Sequence, residues 1–289
     1  MKTTTMNRRT CLKLLGAAAL APAMPGVRAA DNAMLMRKIP SSGEALPVIG
    51  LGTSRVFNVG SSVEERLRPR EVLKALSGVE NSMVDTSPMY GASEGVVGDL
   101  GADLGVRNRL FYATKVWIEG REAGIQQMQE SMRLLKTDTI DLIQVHNLLD
   151  TDIHLKTLRQ WKEEGRVRYL GITHYHEGAH DAVERILNRE RLDFLQINYS
   201  LLEPEAADRV LPLARDKGIA VIINRPFARG QLFRLTKGKT LPAFAADLGI
   251  QSWAQFFLKF VVSHPAVTVA IPGTSKLKHM LDNQQAGYG

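Results

Sequence analysis

Four polar side chains stand at the ends of short apolar runs, and together they have the chemistry of a proton-donating site. Asp85 follows Asn81-Ser82-Met83-Val84, and Tyr90 lies a few residues on, in Asp85-Thr86-Ser87-Pro88-Met89-Tyr90-Gly91. Lys115 closes Leu110-Phe111-Tyr112-Ala113-Thr114, and His146 closes Ile140-Asp141-Leu142-Ile143-Gln144-Val145. An uncharged hydroxyl acid suits the reduction of a carbonyl by hydride, because the developing alkoxide must be given a proton. Tyrosine, with an ordinary pKa near 10, is a poor donor unless its surroundings change that value. A neighbouring ammonium is expected to lower it, and a carboxylate beyond would hold the ammonium in place. Tyr90 then serves as the acid, Lys115 as the cation, Asp85 as its anchor and a neutral His146 as a hydrogen-bond donor that orients the carbonyl. The chemistry requires no metal, and the scattered histidines point to none. Singly, each residue also has a plain structural use in packing, turn capping or ending a strand. Their order at three successive strand ends is what makes them specific.

Residues so far apart in sequence need a frame that brings strand ends together. From about residue 47 onward, strand-like and helix-like segments alternate. Candidate strands cover residues 48–52, Ser82–Asp85, 110–115, Ile140–His146, 169–173, Phe194–Asn198, Ala220–Asn224 and 267–272. They are short apolar runs, as expected of strands buried on both faces. Helix-period segments fall at 123–135, 151–164, 179–188, 204–217 and 250–262. Eight such units match a single-domain α/β fold, the (β/α)8 TIM barrel. An open doubly wound sheet gives the same alternation. However, Gly50-Leu51-Gly52-Thr53 lacks the third glycine and the following helix of a dinucleotide fingerprint. In a barrel, the C-terminal ends of the strands face the active site. Asp85, Lys115, His146, Thr173, Gln196, Asn198 and Asn224 all fall there. Residues 39–46, with Ser41-Ser42-Gly43 in the middle, read as a short N-terminal hairpin that caps the barrel bottom.

From about Lys38 to Asn283 the chain resembles the aldo-keto reductase family. The carrying motifs are Gly50-Leu51-Gly52-Thr53, Asp85-Thr86-Ser87-Pro88-Met89-Tyr90-Gly91, Thr114-Lys115-Val116-Trp117 and Asp141-Leu142-Ile143-Gln144-Val145-His146. Further on come Gly165-Arg166-Val167-Arg168-Tyr169-Leu170-Gly171-Ile172-Thr173, Gln196-Ile197-Asn198-Tyr199-Ser200 and Ile271-Pro272-Gly273-Thr274-Ser275. The resemblance implies a barrel domain over residues 38–289 and a catalytic tetrad of Asp85, Tyr90, Lys115 and His146. It also implies a nicotinamide cofactor extended across the barrel mouth. By the same match Thr173, His174 and Gln196 contact the carboxamide, Gly52 and Thr53 lie under the cofactor, and Thr274, Ser275 and Lys276 hold the adenosine phosphate. Asn283 matches an adenine contact, and Trp117 a pocket wall. Lys276 and Lys278 suit a 2′-phosphate, so NADP is expected over NAD.

Three departures from the family pattern stand out. His174 replaces an asparagine. Asn224-Arg225-Pro226-Phe227 stands where an aromatic residue that stacks on the nicotinamide, followed by Ser-Pro-Leu, is usual; Arg225 is the candidate replacement. The C-terminal loop that shapes substrate pockets in many relatives is expected to be short or absent.

The 289-residue chain is 44% hydrophobic and 23% charged, which provides ample material for a core. Its net charge of +7 is concentrated at one end: residues 1–29 carry Lys2, Arg8, Arg9, Lys13 and Arg28 and no acid. The rest has no basic stripe suited to nucleic acid. Residues 1–29 read as a signal peptide with a positive head, a short apolar run from Leu14 to Ala23 and a small-residue cleavage site at Val27-Arg28-Ala29. That run is too short to span a membrane, which takes about 20 residues, so no stable anchor is expected. Asn7-Arg8-Arg9-Thr10-Cys11-Leu12-Lys13 resembles the twin-arginine motif, with Cys11 where Phe is usual. The twin-arginine translocon is then a transient partner, and the destination is the periplasm. Removal of Cys11, the sole cysteine, leaves a mature chain without disulfide or thiolate chemistry.

The expected activity is NADP-dependent reduction of an aldehyde or ketone by a monomer. A nucleotide-binding sensor that keeps the reductase fold is the alternative. A barrel lyase that uses Tyr90 and Lys115 would leave the 274–276 segment unexplained.

Overall fold

Period-two alternation along the central strands sorts their side chains into an inner and an outer core, and the inner phase ends in the polar residues singled out above. In the computed structural model, which describes residues 33–289, the first two strands are β1 (Met36–Lys38) and β2 (Ala45–Pro47), paired antiparallel. Eight parallel strands follow in chain order: β3 (Leu51–Gly52), β4 (Ser82–Asp85), β5 (Leu110–Val116), β6 (Ile140–His146), β7 (Val167–Thr173), β8 (Phe194–Asn198), β9 (Ala220–Asn224) and β10 (Val267–Ala270). Single bridges from Ile49 to Ala270 and from Gly52 to Gly273 bring the last strand back to the first, so a (β/α)8 barrel is nearly closed. The helices are α1 (Val63–Leu76), α2 (Ser93–Asp103), α3 (Arg121–Leu135), α4 (Thr151–Glu163), α5 (His180–Arg189), α6 (Val210–Asp216), α7 (Gln231–Thr236), α8 (Trp253–Ser263) and α9 (Leu277–Gln285). The signal-peptide segment, residues 1–29, lies outside the described residues.

The helices pack their apolar stripes on the outer faces of the strands. In α4, Leu155, Leu158 and Trp161 repeat at helical spacing and are buried. A capping box starts α1, where Ser62 and Glu65 satisfy each other's backbone amides. Outward strand residues such as Val84, Tyr112, Ile143, Leu170, Leu195 and Val221 meet this layer. Inward residues Met83, Phe111, Leu142, Tyr169, Phe194 and Ile222 fill the barrel. The rings of Phe111 and Tyr169 lie 5.8 Å apart, and those of Tyr169 and Phe194 5.6 Å apart.

The hairpin closes the bottom, but with different bounds from those expected. Its strands flank a turn over 39–44, which begins where Ile39 turns its side chain into the barrel interior; Leu46, also buried in the barrel interior, pairs with Arg37 across the ladder. Gly43 (φ +79°) makes the turn. Arg37 anchors the hairpin by donating to the carbonyls of His264 (2.8 Å), Val262 (2.6 Å) and Val267. The first and last barrel strands are also shorter than the apolar runs that announce them. Their outer residues hold the sheet by isolated bridges and not by a continuous ladder.

Gly171 sits in the inward phase of β7, where a side chain would strike its neighbour. An added Cβ would lie 2.4 Å from the Phe194 carbonyl oxygen. Gly171→Ala is therefore expected to destabilise the fold by about 1–3 kcal/mol, read as a lower urea midpoint at unchanged m-value. An unchanged midpoint would show that β7 and β8 yield at this point.

Candidate active site

The inward phase that carries Met83, Phe111 and Leu142 through the barrel continues upward to Asp85, Lys115 and then Gln144 and His146. Register does the rest, pairing Lys115 with Gln144, His146 with Thr173 and Thr173 with Gln196 across adjacent strands. At the top of the barrel, Lys115 is completely buried. Its Nζ donates to both oxygens of Asp85 (2.9 and 2.7 Å) and to the Thr86 carbonyl (2.6 Å). Asp85 accepts further bonds from the amides of Gln196 (2.9 Å) and Gln144 (3.4 Å), and Gln196 in turn accepts from the Thr173 hydroxyl at 2.8 Å. Burial works against the Lys115 charge, yet Asp85 and Tyr90 together more than offset it, and the lysine pKa stands above its ordinary value.

Tyr90 reaches in from the loop after β4. The Lys115 Nζ lies 5.0 Å from its ring centre, and the His146 ring meets it edge-on at 6.2 Å. The expectation of a lowered tyrosine pKa is not met in this site. Burial raises it, the Lys115 charge pulls it down, and the Asp85 charge raises it again, leaving it above the ordinary value. A tyrosine that keeps its proton through neutral pH is the reactant form of a donor.

His146 is neutral, as the sequence implied. Burial and the nearby Lys115 charge lower its pKa from 6.5 to about 3. Its Nδ1 lies 3.4 Å from the Ser87 hydroxyl. With Ser87 donating to Nδ1, the ring hydrogen sits on Nε2 and is free for a ligand. The lowered pKa also has a consequence for stability. Between pH 6.5 and about 3 the unfolded chain takes up a proton that folded His146 refuses. Its contribution is therefore complete above 6.5 and is lost as the pH falls through that window. Urea unfolding at about pH 7 and about pH 4.5 should show a smaller acid loss for His146→Gln than for the parent. Equal losses would mean that His146 is not held neutral by the fold.

These groups face a cleft of about 630 Å³. Of the residues expected from sequence, Gly52, Asp85, Tyr90, Trp117, His146, Thr173, Gln196 and Arg225 line it. Trp117 is 40% exposed and stands 6.2 Å from the His146 ring, as suits a pocket wall. Thr53, next to Gly52, is fully buried, with its amide and hydroxyl both donating to the Asp85 carbonyl oxygen (2.9 and 3.0 Å). His174 packs against Tyr175 and His176, with ring centres at 5.1 and 4.5 Å, and it is the neighbouring Tyr175 that reaches the cleft. Burial, aided by the charges of His176, His180 and Arg225, lowers the His174 pKa to about 4. Thr274, Ser275 and Lys276 form the segment between β10 and α9, where the Lys276 amide donates to the Thr274 hydroxyl at 3.1 Å. Asn283 is buried in α9.

Several site residues escaped the sequence reading. Gln144 braces Asp85, Ser87 contacts His146, and Ser54 and Tyr175 line the cleft. Gln144 carried a usable signal, since it lies one inward step before His146 on β6. The others sit on loops, where side-chain direction has no period to follow.

The pattern of the Aldo/keto reductase family matches residues 48–288. Among solved structures, the fold is shared with an aldo/keto reductase from Klebsiella pneumoniae in complex with NADP and acetate. That match has a TM-score of 0.71 and 26% identity, and covers 84% of this chain and 87% of the other. A Klebsiella pneumoniae aldo-keto reductase in complex with NADPH gives a TM-score of 0.73 at 25% identity, covering 88% and 90%. In sequence, the chain is 26% identical over 259 residues to methylglyoxal reductase YeaE of Escherichia coli (strain K12), covering 86% of this chain and 89% of that one. It is 27% identical over 282 residues to aldo-keto reductase str7 of Strobilurus tenacellus, covering 83% and 81%. The chain belongs to the aldo/keto reductase family, and with it to the NAD(P)-dependent oxidoreductases.

Proposed function

We propose that the protein reduces the carbonyl of an aldehyde or ketone, using NADPH as hydride source and Tyr90 as proton donor. The observation that carries this reading is the buried Asp85–Lys115 pair set beneath the Tyr90 ring. When bound, NADPH supplies the hydride. Tyr90 holds the proton that the resulting alkoxide needs, and the Lys115 ammonium stabilises the phenolate left behind. His146, neutral and steered by Ser87, donates from Nε2 to the carbonyl oxygen. Asp85, with Gln144 and Gln196, keeps the ammonium in register. The family resemblance and the two nucleotide-bound Klebsiella structures support the choice of cofactor.

The residues present fit a dinucleotide. The side-chain oxygens of Asn147 and Asn224 are buried acceptors without a partner on the cleft wall, as a carboxamide NH₂ would require. Gly52 lines the same wall, and a Cβ there would lie 2.9 Å from the Ile271 carbonyl oxygen. Lys276 at the start of α9 and Lys278 in its first turn suit a phosphate and favour NADP over NAD. Quenching of protein fluorescence on titration with NADPH and NADH, followed by aldehyde-dependent oxidation, tests the reading. NADPH should bind more tightly and be consumed. Binding without turnover would favour a nucleotide sensor, and no binding would favour a lyase.

Export by the twin-arginine translocon is part of the same proposal, because that route carries folded protein and so admits a barrel loaded with NADP in the cytoplasm. Its support is the Arg8-Arg9 pair ahead of a short apolar run. Arg8→Lys with Arg9→Lys should leave the full chain in the cytoplasmic fraction; periplasmic delivery of that variant would overturn the route.

A further inference from the structure

Two cations in the cleft, Arg225 and Arg229, take no part in the proton transfer. Arg225, the first residue after β9, is half-buried, and its guanidinium carbon lies 4.1 Å over the Tyr175 ring. Among the described residues it forms no ion pair, and neither does Arg229, which lines the same cleft. Glu203 exerts some charge on Arg225, but its carboxylate accepts a hydrogen bond from Asn198 Nδ2 at 3.1 Å. Burial, with the repulsion of Arg229, lowers the Arg225 pKa from its ordinary value, a sign of a charge that its surroundings do not fully compensate. The other charged groups do not balance it. Asp85 is bound to Lys115, and burial keeps His146 and His174 neutral.

The backbone holds these cations in place under strain. Arg225, Ala228 and Arg229 have φ of 53°, 46° and 55°, in the left-handed region that side-chain-bearing residues avoid. Such strain persists where surrounding structure enforces it, and it gathers at ligand sites. A guanidinium presents planar paired donors that match an oxyanion. Arg225 lines the same cleft as Tyr90, Trp117 and His146, which puts it within one pocket with the proton donor. The segment proposed above for the dinucleotide phosphate, Thr274–Lys276, does not line this cleft.

We propose that Arg225 holds an oxyanion at the reacting end of the cleft, and that this oxyanion is the carboxylate of a carbonyl substrate. The substrate class is then an acidic aldehyde or ketone, with its carbonyl toward Tyr90 and His146 and its carboxylate toward Arg225. The inference rests on the reductase reading of the same cleft. A phosphate of the dinucleotide is the other source of the same chemistry, and the test separates the two.

NADPH oxidation by the full chain is compared for benzaldehyde and 4-carboxybenzaldehyde, in the parent, Arg225→Gln and Arg225→Lys, with NADPH affinity measured by fluorescence quenching. The parent should favour the carboxylated aldehyde in kcat/KM. Arg225→Gln should lower that preference by about tenfold or more, mainly through KM, and Arg225→Lys should retain part of it. The lysine variant keeps the charge should the glutamine variant fold poorly. Absence of a preference in the parent overturns the proposal. Weaker NADPH binding by Arg225→Gln with the preference unmoved also overturns it, by assigning Arg225 to the dinucleotide. NADPH binding with no oxidation of either aldehyde contradicts the reductase reading itself, and the inference falls with it.

Discussion

Tyr90→Phe is expected to lower carbonyl reduction by about 10²–10⁴-fold while leaving NADPH affinity nearly unchanged. The change removes one hydroxyl and keeps the ring that meets His146 and lies near Lys115. Steady-state reduction paired with fluorescence titration would measure both effects. His146 is neutral, and its Nε2 hydrogen serves as a hydrogen bond only, because releasing it would leave an imidazolate, a far stronger base than a phenolate; Lys115 is engaged by Asp85 and Thr86. Neither group is therefore placed to take over the transfer. Near-parental activity in Tyr90→Phe would remove Tyr90 as the donor.

Lys115→Met is expected to cost stability as well as activity. Methionine matches the length of the stem but leaves Asp85 charged, buried and without its cation. Breaking a buried pair in this way typically costs about 3–5 kcal/mol, a large part of the roughly 5–15 kcal/mol that keeps a domain folded. Urea unfolding should show the loss. Lys115→Met combined with Asp85→Asn should be less destabilised than the sum of the two single changes, because the orphaned charge is gone. The raised Lys115 pKa sets the pH range of the parent's stabilisation. It is present below the unfolded-state value and disappears as the pH climbs through the raised folded value, above the ordinary 10.5. A Lys115→Met protein as stable as the parent would show that the pair does not organise the top of the barrel.

Much of this site was legible in the chain because strand parity is a simple rule. Once β5 and β6 are recognised, the alternation that buries Phe111 and Leu142 inside the barrel must also turn Lys115 and His146 inward. The barrel topology then places their strand ends side by side. Parity fails beyond the strands. Thr53 and His174 each lie one residue past a strand end, where the chain turns. Thr53 bonds the Asp85 carbonyl oxygen, and His174 stacks on Tyr175. The tyrosine pKa was misjudged for a different reason. Its direction is set by burial against two opposed charges, and burial is a property of the folded cleft. Arg225 was visible as a departure from the family pattern, but its lack of an ion pair emerges only when the charged side chains are located around it.

The most direct test of the account is transfer of the label from NADPH deuterated at the reactive carbon of its nicotinamide. Purified protein saturated with this cofactor is mixed with a small aldehyde, the dihydronicotinamide absorbance is followed, and the product is analysed by mass spectrometry. Hydride transfer should remove that absorbance and give an alcohol with deuterium on the former carbonyl carbon. Tightly bound cofactor that persists unoxidised, with the aldehyde recovered unchanged, would contradict it.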